Sequence, residues 1–183
     1  MSAPIRLAHI VFRTNDLPRM RDWYCAVLDA RVVHADEKIA FLTYDNEHHR
    51  IALIATQPFA PKDEGGPRVG FYHVAFTHAG LAELLDTYDH LAARGIRPWR
   101  TINHGPTTSF YYRDPDGNDV ELQVDRFANA LEAQAWMNGP AFAADPIGLL
   151  IDPEDLRRRF EAGEPFDSLM RRADETPPAG TST

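Results

Sequence analysis

One cysteine, Cys25, is present in 183 residues, so the chain can form no intrachain disulfide. It lies in Asp22-Trp-Tyr-Cys-Ala-Val-Leu28, a helical pattern, and reads as a small buried residue rather than a nucleophile. A reducing, cytoplasmic setting is the expectation that follows. No apolar run reaches the roughly 18 residues that a membrane span needs, and no signal-peptide apolar region opens the sequence. Basic residues are scarce. Nineteen Lys and Arg face 27 Asp and Glu, a formal charge of −8, which supplies no electrostatic footprint for nucleic acid. The two basic clusters, Arg157-Arg-Arg159 and Arg171-Arg172, are flanked by acids and read as solvated helix faces. The length argues against two independent domains, while 44% hydrophobic residues suffice for one good core.

What is present is an internal repeat. Leu7-Ala-His-Ile-Val-Phe12 matches Phe71-Tyr-His-Val-Ala-Phe76 at an offset of 64, and the same offset places Leu17 on Leu81 and Tyr24 on Tyr88. Alternating apolar residues predict strands over 5–12, 40–44, 50–56, 70–76, 109–113 and 119–124. Helical spacing predicts Leu17–Leu28, with Asp16 as N-cap and Pro18 in the first turn, and Leu81–Ala93, stopped by Gly95. Asp114-Pro-Asp-Gly-Asn118 has the residues of a tight turn, and 58–67, rich in proline and glycine, joins the copies. The expected fold is α+β: two paired βαβββ modules, 4–57 and 68–125, forming one cleft-containing domain over 1–125. A helical C-terminal extension spans 126–174, with helices at 126–137, 153–162 and 165–172, and 175–183 is expected to be a disordered tail.

His9, His73 and Glu121 are each expected mid-strand. Side chains at i and i+2 share a face, which puts His9 with Leu7 and Val11, and His73 with Phe71 and Ala75. Either histidine alone is most simply a satisfied core residue. A buried Glu121, however, costs several kcal/mol unless it is paired or bound to a cation. A divalent metal would satisfy all three. Two imidazoles and a carboxylate with positions left open suit oxygen-activating Fe(II), and Mn(II) can replace it.

These motifs resemble the vicinal oxygen chelate superfamily, and within it the type I extradiol ring-cleaving dioxygenases. The resemblance covers about Pro4 to Asp125. Leu7-Ala-His-Ile-Val and Tyr72-His-Val-Ala-Phe are similar to the two histidine-ligand strands, and Glu47-His-His-Arg-Ile-Ala-Leu53 to the paired-histidine segment. In that segment the second histidine, here His49, is the acid/base. Ser109-Phe-Tyr-Tyr-Arg-Asp-Pro-Asp-Gly-Asn-Asp-Val-Glu-Leu122 is similar to the segment carrying a substrate-binding tyrosine, Tyr111, and the carboxylate ligand, Glu121. Many relatives carry two tandem copies of this domain, whereas this chain has one and a helical tail. A further histidine is expected just before the tyrosine; His104 is displaced towards it, and either lines the substrate pocket or stabilises its glycine-containing loop.

The resemblance implies a catecholic substrate and O2 as partners, with no nucleic acid and no membrane, and a homo-oligomer, most simply a dimer. His49 would accept a catechol proton and later return one, and Tyr111 would hydrogen-bond a substrate oxygen. His48 and Tyr112, each next to a pocket residue on a strand, should face away from it; His34, His78 and His90 are expected on the surface. Two alternatives stay open. A glyoxalase-type lyase would add a fourth ligand, but the repeat offset carries Glu121 back to Gln57. A resistance-type protein would bind a ligand in the same cleft without a metal, and would need no metal triad.

Overall fold

Two helices follow directly from local sequence in the computed structural model, which describes residues 2–60 and 69–175. Leu17, Met20, Tyr24 and Val27 form the buried stripe of α1 (Leu17–Leu28), and the Asp16 carboxylate caps it by accepting from Arg19 N at 3.1 Å. Leu81, Leu84, Leu85, Tyr88 and Leu91 do the same for α2 (Leu81–Ala93). Gly95, at φ +75°, then turns the chain out of the helix, as its sequence position predicts.

The chain divides into two compact units. The first, Met1–Tyr72 with Arg113–Asn118, contains β1 (Ile10–Arg13), α1, β2 (Arg31–Ala35), β3 (Ile39–Thr43) and β4 (Ile51–Ile54). Its sheet runs β1-β4-β3-β2, with β1 parallel to β4 and α1 packed on β3 and β4. Ala40, Leu42, Ile51 and Leu53 are fully buried. Each large apolar side chain removed from water contributes about 1.5–3 kcal/mol. The Asp114–Asn118 turn belongs to this unit: the buried Asp114 carboxylate accepts from Asp116 N, Asn118 N, Asn118 Nδ2 and the Tyr24 hydroxyl. Gly117 supplies the positive φ that the turn requires.

The second unit, His73–Tyr112 with Asp119–Thr183, repeats the pattern: β5 (His73–Thr77), α2, β6 (Arg100–Asn103), β7 (Thr107–Arg113) and β8 (Asp119–Asp125). Its sheet runs β5-β8-β7-β6, again with first and last strands parallel, and β9 (Leu149–Leu150) is added beside β6. Both copies are therefore βαβββ units with one topology. Beyond β8 come α3 (Ala130–Met137), α4 (Pro140–Ala144), α5 (Pro153–Glu161) and α6 (Phe166–Met170), which confirm the helical extension.

The differences from expectation are local. β2 shows no alternation because it is an edge strand exposed along its whole length. β6, β9 and α4 are additions, and α3 starts at Ala130 rather than Arg126, since Asn129 caps it by accepting from Glu132 N. Most of the 58–67 linker and of the 175–183 tail lies outside the described residues.

The strand register also revises the repeat alignment. Ile10 pairs with Ile51, whereas the matching Val74 pairs with Val120, so the second copy is longer by five residues (46 against 41) between its parallel strands. Val11 stands beside Ala52 where Ala75 stands beside Glu121. The counterpart of Glu121 is thus Ala52, not Gln57, which lies past the end of β4.

Candidate active site

His73 opens β5 opposite Asp119, and Glu121 stands opposite Ala75. Residues two apart share a face, so His73 and Glu121 are diagonal neighbours on one side of a parallel pair, close enough for long side chains to meet. They do meet: His73 Nε2 lies 2.9 Å from Glu121 Oε2. Glu121 is buried, 4% exposed, and the imidazole presents its nitrogen to that carboxylate. The edge of the Tyr111 ring packs against His73, with ring centroids 5.6 Å apart.

Tyr111, on β7, is itself buried, and its hydroxyl lies 2.9 Å from His104 Nε2. The other nitrogen of that imidazole, Nδ1, is 2.5 Å from the Ile147 carbonyl. Burial holds the His104 pKa below the ordinary imidazole value, opposed by the Ile147 hydrogen bond. His104 thus does both things that the sequence left open: it contacts the tyrosine, and it is anchored into its own loop. Tyr112 points the other way and is fully buried, as strand alternation predicts.

His9 belongs to the first unit, where its ring lies 4.5 Å from that of His49. It precedes β1 rather than sitting within it. The ladder starts at Ile10, whose N–H donates to Arg50 O, while the Arg50 guanidinium takes the Leu7 and Ala8 carbonyls that a strand partner would otherwise bind. The expected apolar wall around His9 is open, with Leu7 74% and Val11 47% exposed.

His49 also lies outside a strand, in the β3–β4 connection shaped by Asp45, which accepts from Glu47 N and Arg50 Nε. Freed from alternation, His48 does not oppose it: the two Nδ1 atoms are 2.6 Å apart. The Phe41 ring stacks on His49 at 4.7 Å. Partial burial, then the neighbouring His9 and His48, lower the His49 pKa, so the ring is neutral at pH 7. His34 and His90 are exposed, as expected, but His78 is half-buried and its pKa is lowered by that burial.

The structure therefore gathers His73, Glu121, Tyr111 and His104 in the second unit, and His9, His48 and His49 in the first. Among the described residues, no group of three or more His, Cys, Asp and Glu is arranged as a metal site. The chemistry of the donors still suits a divalent cation. His73 and Glu121 turn an imidazole nitrogen and a buried carboxylate oxygen towards each other, a donor pair of the kind that divalent cations take.

Sequence reasoning missed Ile147, which offers only a carbonyl, and misread Arg172: expected on a solvated helix face, it lies past the end of the last helix and is buried, 1% exposed, behind the His104 loop with Trp136. A backbone carbonyl leaves no signature in a sequence. Gly105 was the one available hint, since a glycine with positive φ marks a place where another group approaches closely.

The profile of the Glyoxalase/Bleomycin resistance protein/Dioxygenase superfamily matches residues 6–122. Biphenyl-2,3-diol 1,2-dioxygenase 2 of Rhodococcus globerulus is 45% identical over 174 residues, covering 94% of this chain and 90% of that protein. Biphenyl-2,3-diol 1,2-dioxygenase 3 of the same organism is 45% identical over 178 residues, 94% and 91% of the two chains. Among solved structures, the lactoylglutathione lyase of Agrobacterium tumefaciens superposes with a TM-score of 0.54 at 22% identity, over 67% of this chain and 96% of that one, a likeness of fold.

Proposed function

The chain belongs to the glyoxalase/bleomycin resistance protein/dioxygenase superfamily, and from that premise we propose that it is an extradiol ring-cleaving dioxygenase acting on a dihydroxylated aromatic. The observation that carries this reading is 45% identity, over nearly the whole length of both chains, to two biphenyl-2,3-diol dioxygenases. An aryl-substituted catechol is accordingly the first substrate to try. The register supports the same choice from inside the fold. A four-ligand lyase would need a carboxylate in the first copy, and Ala52 occupies that place.

The ligand set of the proposal is His9, His73 and Glu121, holding Fe(II), with Mn(II) as substitute. The meeting of His73 and Glu121 supports it, as does the repeat that makes His9 the equivalent of His73. Bound Fe(II) would supply open positions for both substrate oxygens and for dioxygen, and a route for electrons from the ring to dioxygen. His49, neutral at pH 7, takes the proton of a substrate hydroxyl at Nε2, Nδ1 being turned to His48, and returns it as the product forms. Tyr111, steadied by His104, orients a substrate oxygen by a hydrogen bond. Residues 1–125 would serve this one activity, in a homodimer. The lone cysteine suits the reducing cytoplasm, and no helix among the described residues is long and apolar enough to cross a membrane.

The test is anaerobic reconstitution with Fe(II) followed by oxygen consumption over a panel of catechols that includes biphenyl-2,3-diol. Uptake that depends on both iron and diol supports the reading. No uptake with iron bound, across the panel, rejects it.

A further inference from the structure

The loop Asn103-His-Gly-Pro106 is held mainly by the C-terminal extension. Asn103 Nδ2 donates to Met170 O at 3.0 Å, and Arg126 N donates to Pro106 O at 2.8 Å. The Trp136 ring lies so close over Gly105 that a Cβ there would fall 1.9 Å from its Cη2. Gly148, at φ +95°, presses on the Asn103 carbonyl, where a Cβ would come within 2.3 Å.

The same segment delivers the Ile147 carbonyl to His104 Nδ1. One side chain places it: Asp145 Oδ1 accepts from Ile147 N and from Gly148 N, both at 3.0 Å. The Asp145 carbonyl in turn accepts from Arg172 Nη1 at 2.7 Å. Arg172 is completely buried in its side chain, faces the Trp136 ring at 5.4 Å and pairs with Asp174.

A carbonyl oxygen can only accept, so Nδ1 must carry the hydrogen of the His104–Ile147 bond. Burial keeps this imidazole neutral at pH 7, and a neutral imidazole has one N–H. Its Nε2 is then an acceptor, and the Tyr111 hydroxyl, 2.9 Å away, must be the donor. The only proton of that hydroxyl is committed to His104, so towards a ligand the Tyr111 oxygen offers lone pairs.

We propose that the Ile147 carbonyl, placed by Asp145, is a positioning group that fixes the Nδ1–H tautomer of His104 and so makes Tyr111 a hydrogen-bond acceptor towards a substrate hydroxyl rather than a donor to an oxyanion. The identity of the ligand rests on the dioxygenase reading; the tautomer does not. The C-terminal extension thereby acts on the active site without touching substrate.

The experiment is long-range nitrogen–proton correlation NMR on the full chain with 15N-labelled histidine, the His104 signals being assigned by their loss in His104→Gln. The unsubstituted protein should show His104 protonated at Nδ1 and bare at Nε2. Asp145→Asn retains an oxygen that accepts both backbone N–H groups and should keep that pattern. Asp145→Ala should bring in the Nε2–H form. A His104 protonated mainly at Nε2 in the unsubstituted protein overturns the proposal, whether or not either variant folds; so does a folded Asp145→Ala protein with an unchanged tautomer. Because the readout needs neither metal nor diol, a chain that failed to cleave any catechol could still pass it.

Discussion

His73 Nε2 and Glu121 Oε2 meet at 2.9 Å as diagonal neighbours on one face of two parallel strands. The pairing places an imidazole against a buried carboxylate and leaves both suited to bind one cation. Glu121→Ala is therefore expected to weaken Fe(II) binding by more than about 100-fold, the upper end of what loss of a mere outer partner of a metal ligand costs. Metal analysis after dialysis, with circular dichroism to confirm the fold, checks this. Full iron retention by the folded variant would remove Glu121 from the ligand set.

Tyr111 and Tyr112 are adjacent yet should respond oppositely to loss of the hydroxyl. The Tyr111 hydroxyl bonds His104, and Tyr111→Phe should lower kcat/KM by about 10-fold, the value of one hydrogen bond of roughly 1.4 kcal/mol. The Tyr112 hydroxyl is buried with no hydrogen-bond partner among the described residues. An orphaned buried hydroxyl costs free energy, so Tyr112→Phe should leave turnover unchanged and keep or raise the Tm. A Tyr112→Phe protein melting several degrees lower would contradict this account of the core.

Gly105 has a φ of +99° and lies directly under Trp136. Gly105→Ala adds a backbone conformation that L-residues resist and a collision that only movement of the indole can relieve. Destabilisation of about 3 kcal/mol or more is expected, measured as a shift in the urea midpoint. Equal stability of the two proteins would mean that Trp136 does not cover the loop.

Alkaline pH should unfold the protein through its tyrosines. Burial, with the nearby Asp114, raises the pKa of Tyr24 far above the usual phenol value, and burial, with Glu154, pushes Tyr88 up to about 12. A raised folded-state pKa means that the folded chain holds protons which the unfolded chain releases. That stability is complete below about pH 10, the unfolded tyrosine value, and is lost as pH rises towards the folded values. Urea midpoints should fall between pH 10 and about 12 and fall less in Tyr24→Phe. A flat profile in the unsubstituted protein would contradict the burial of these phenols.

Much of the fold was legible because its signals are local. The stripes and caps of α1 and α2 sit within each segment, and their ends agree with the sequence reading. The equivalence of His9 and His73 needed only a repeat. Where each strand begins was not legible, because that depends on the partner: the side chain of Arg50 takes the carbonyls before Ile10 and leaves His9 at the mouth of β1. The five-residue length difference hid Ala52 behind Gln57 for the same reason, register being a property of pairs of strands. His49 and His48 were read by strand alternation, which a turn built on Asp45 does not obey. The Ile147 carbonyl is backbone and could be found only in three dimensions.

The central claim is most directly tested by the product that the iron-reconstituted protein makes from biphenyl-2,3-diol. The account predicts a yellow ring-opened keto acid, formed by cleavage beside the two hydroxyls so that the phenyl-bearing carbon becomes a ketone and its hydroxylated neighbour a carboxylate, with dioxygen consumed in equal amount. Recovery of the diol with dioxygen unconsumed, or a colourless dicarboxylic acid from cleavage between the hydroxyls, would contradict it.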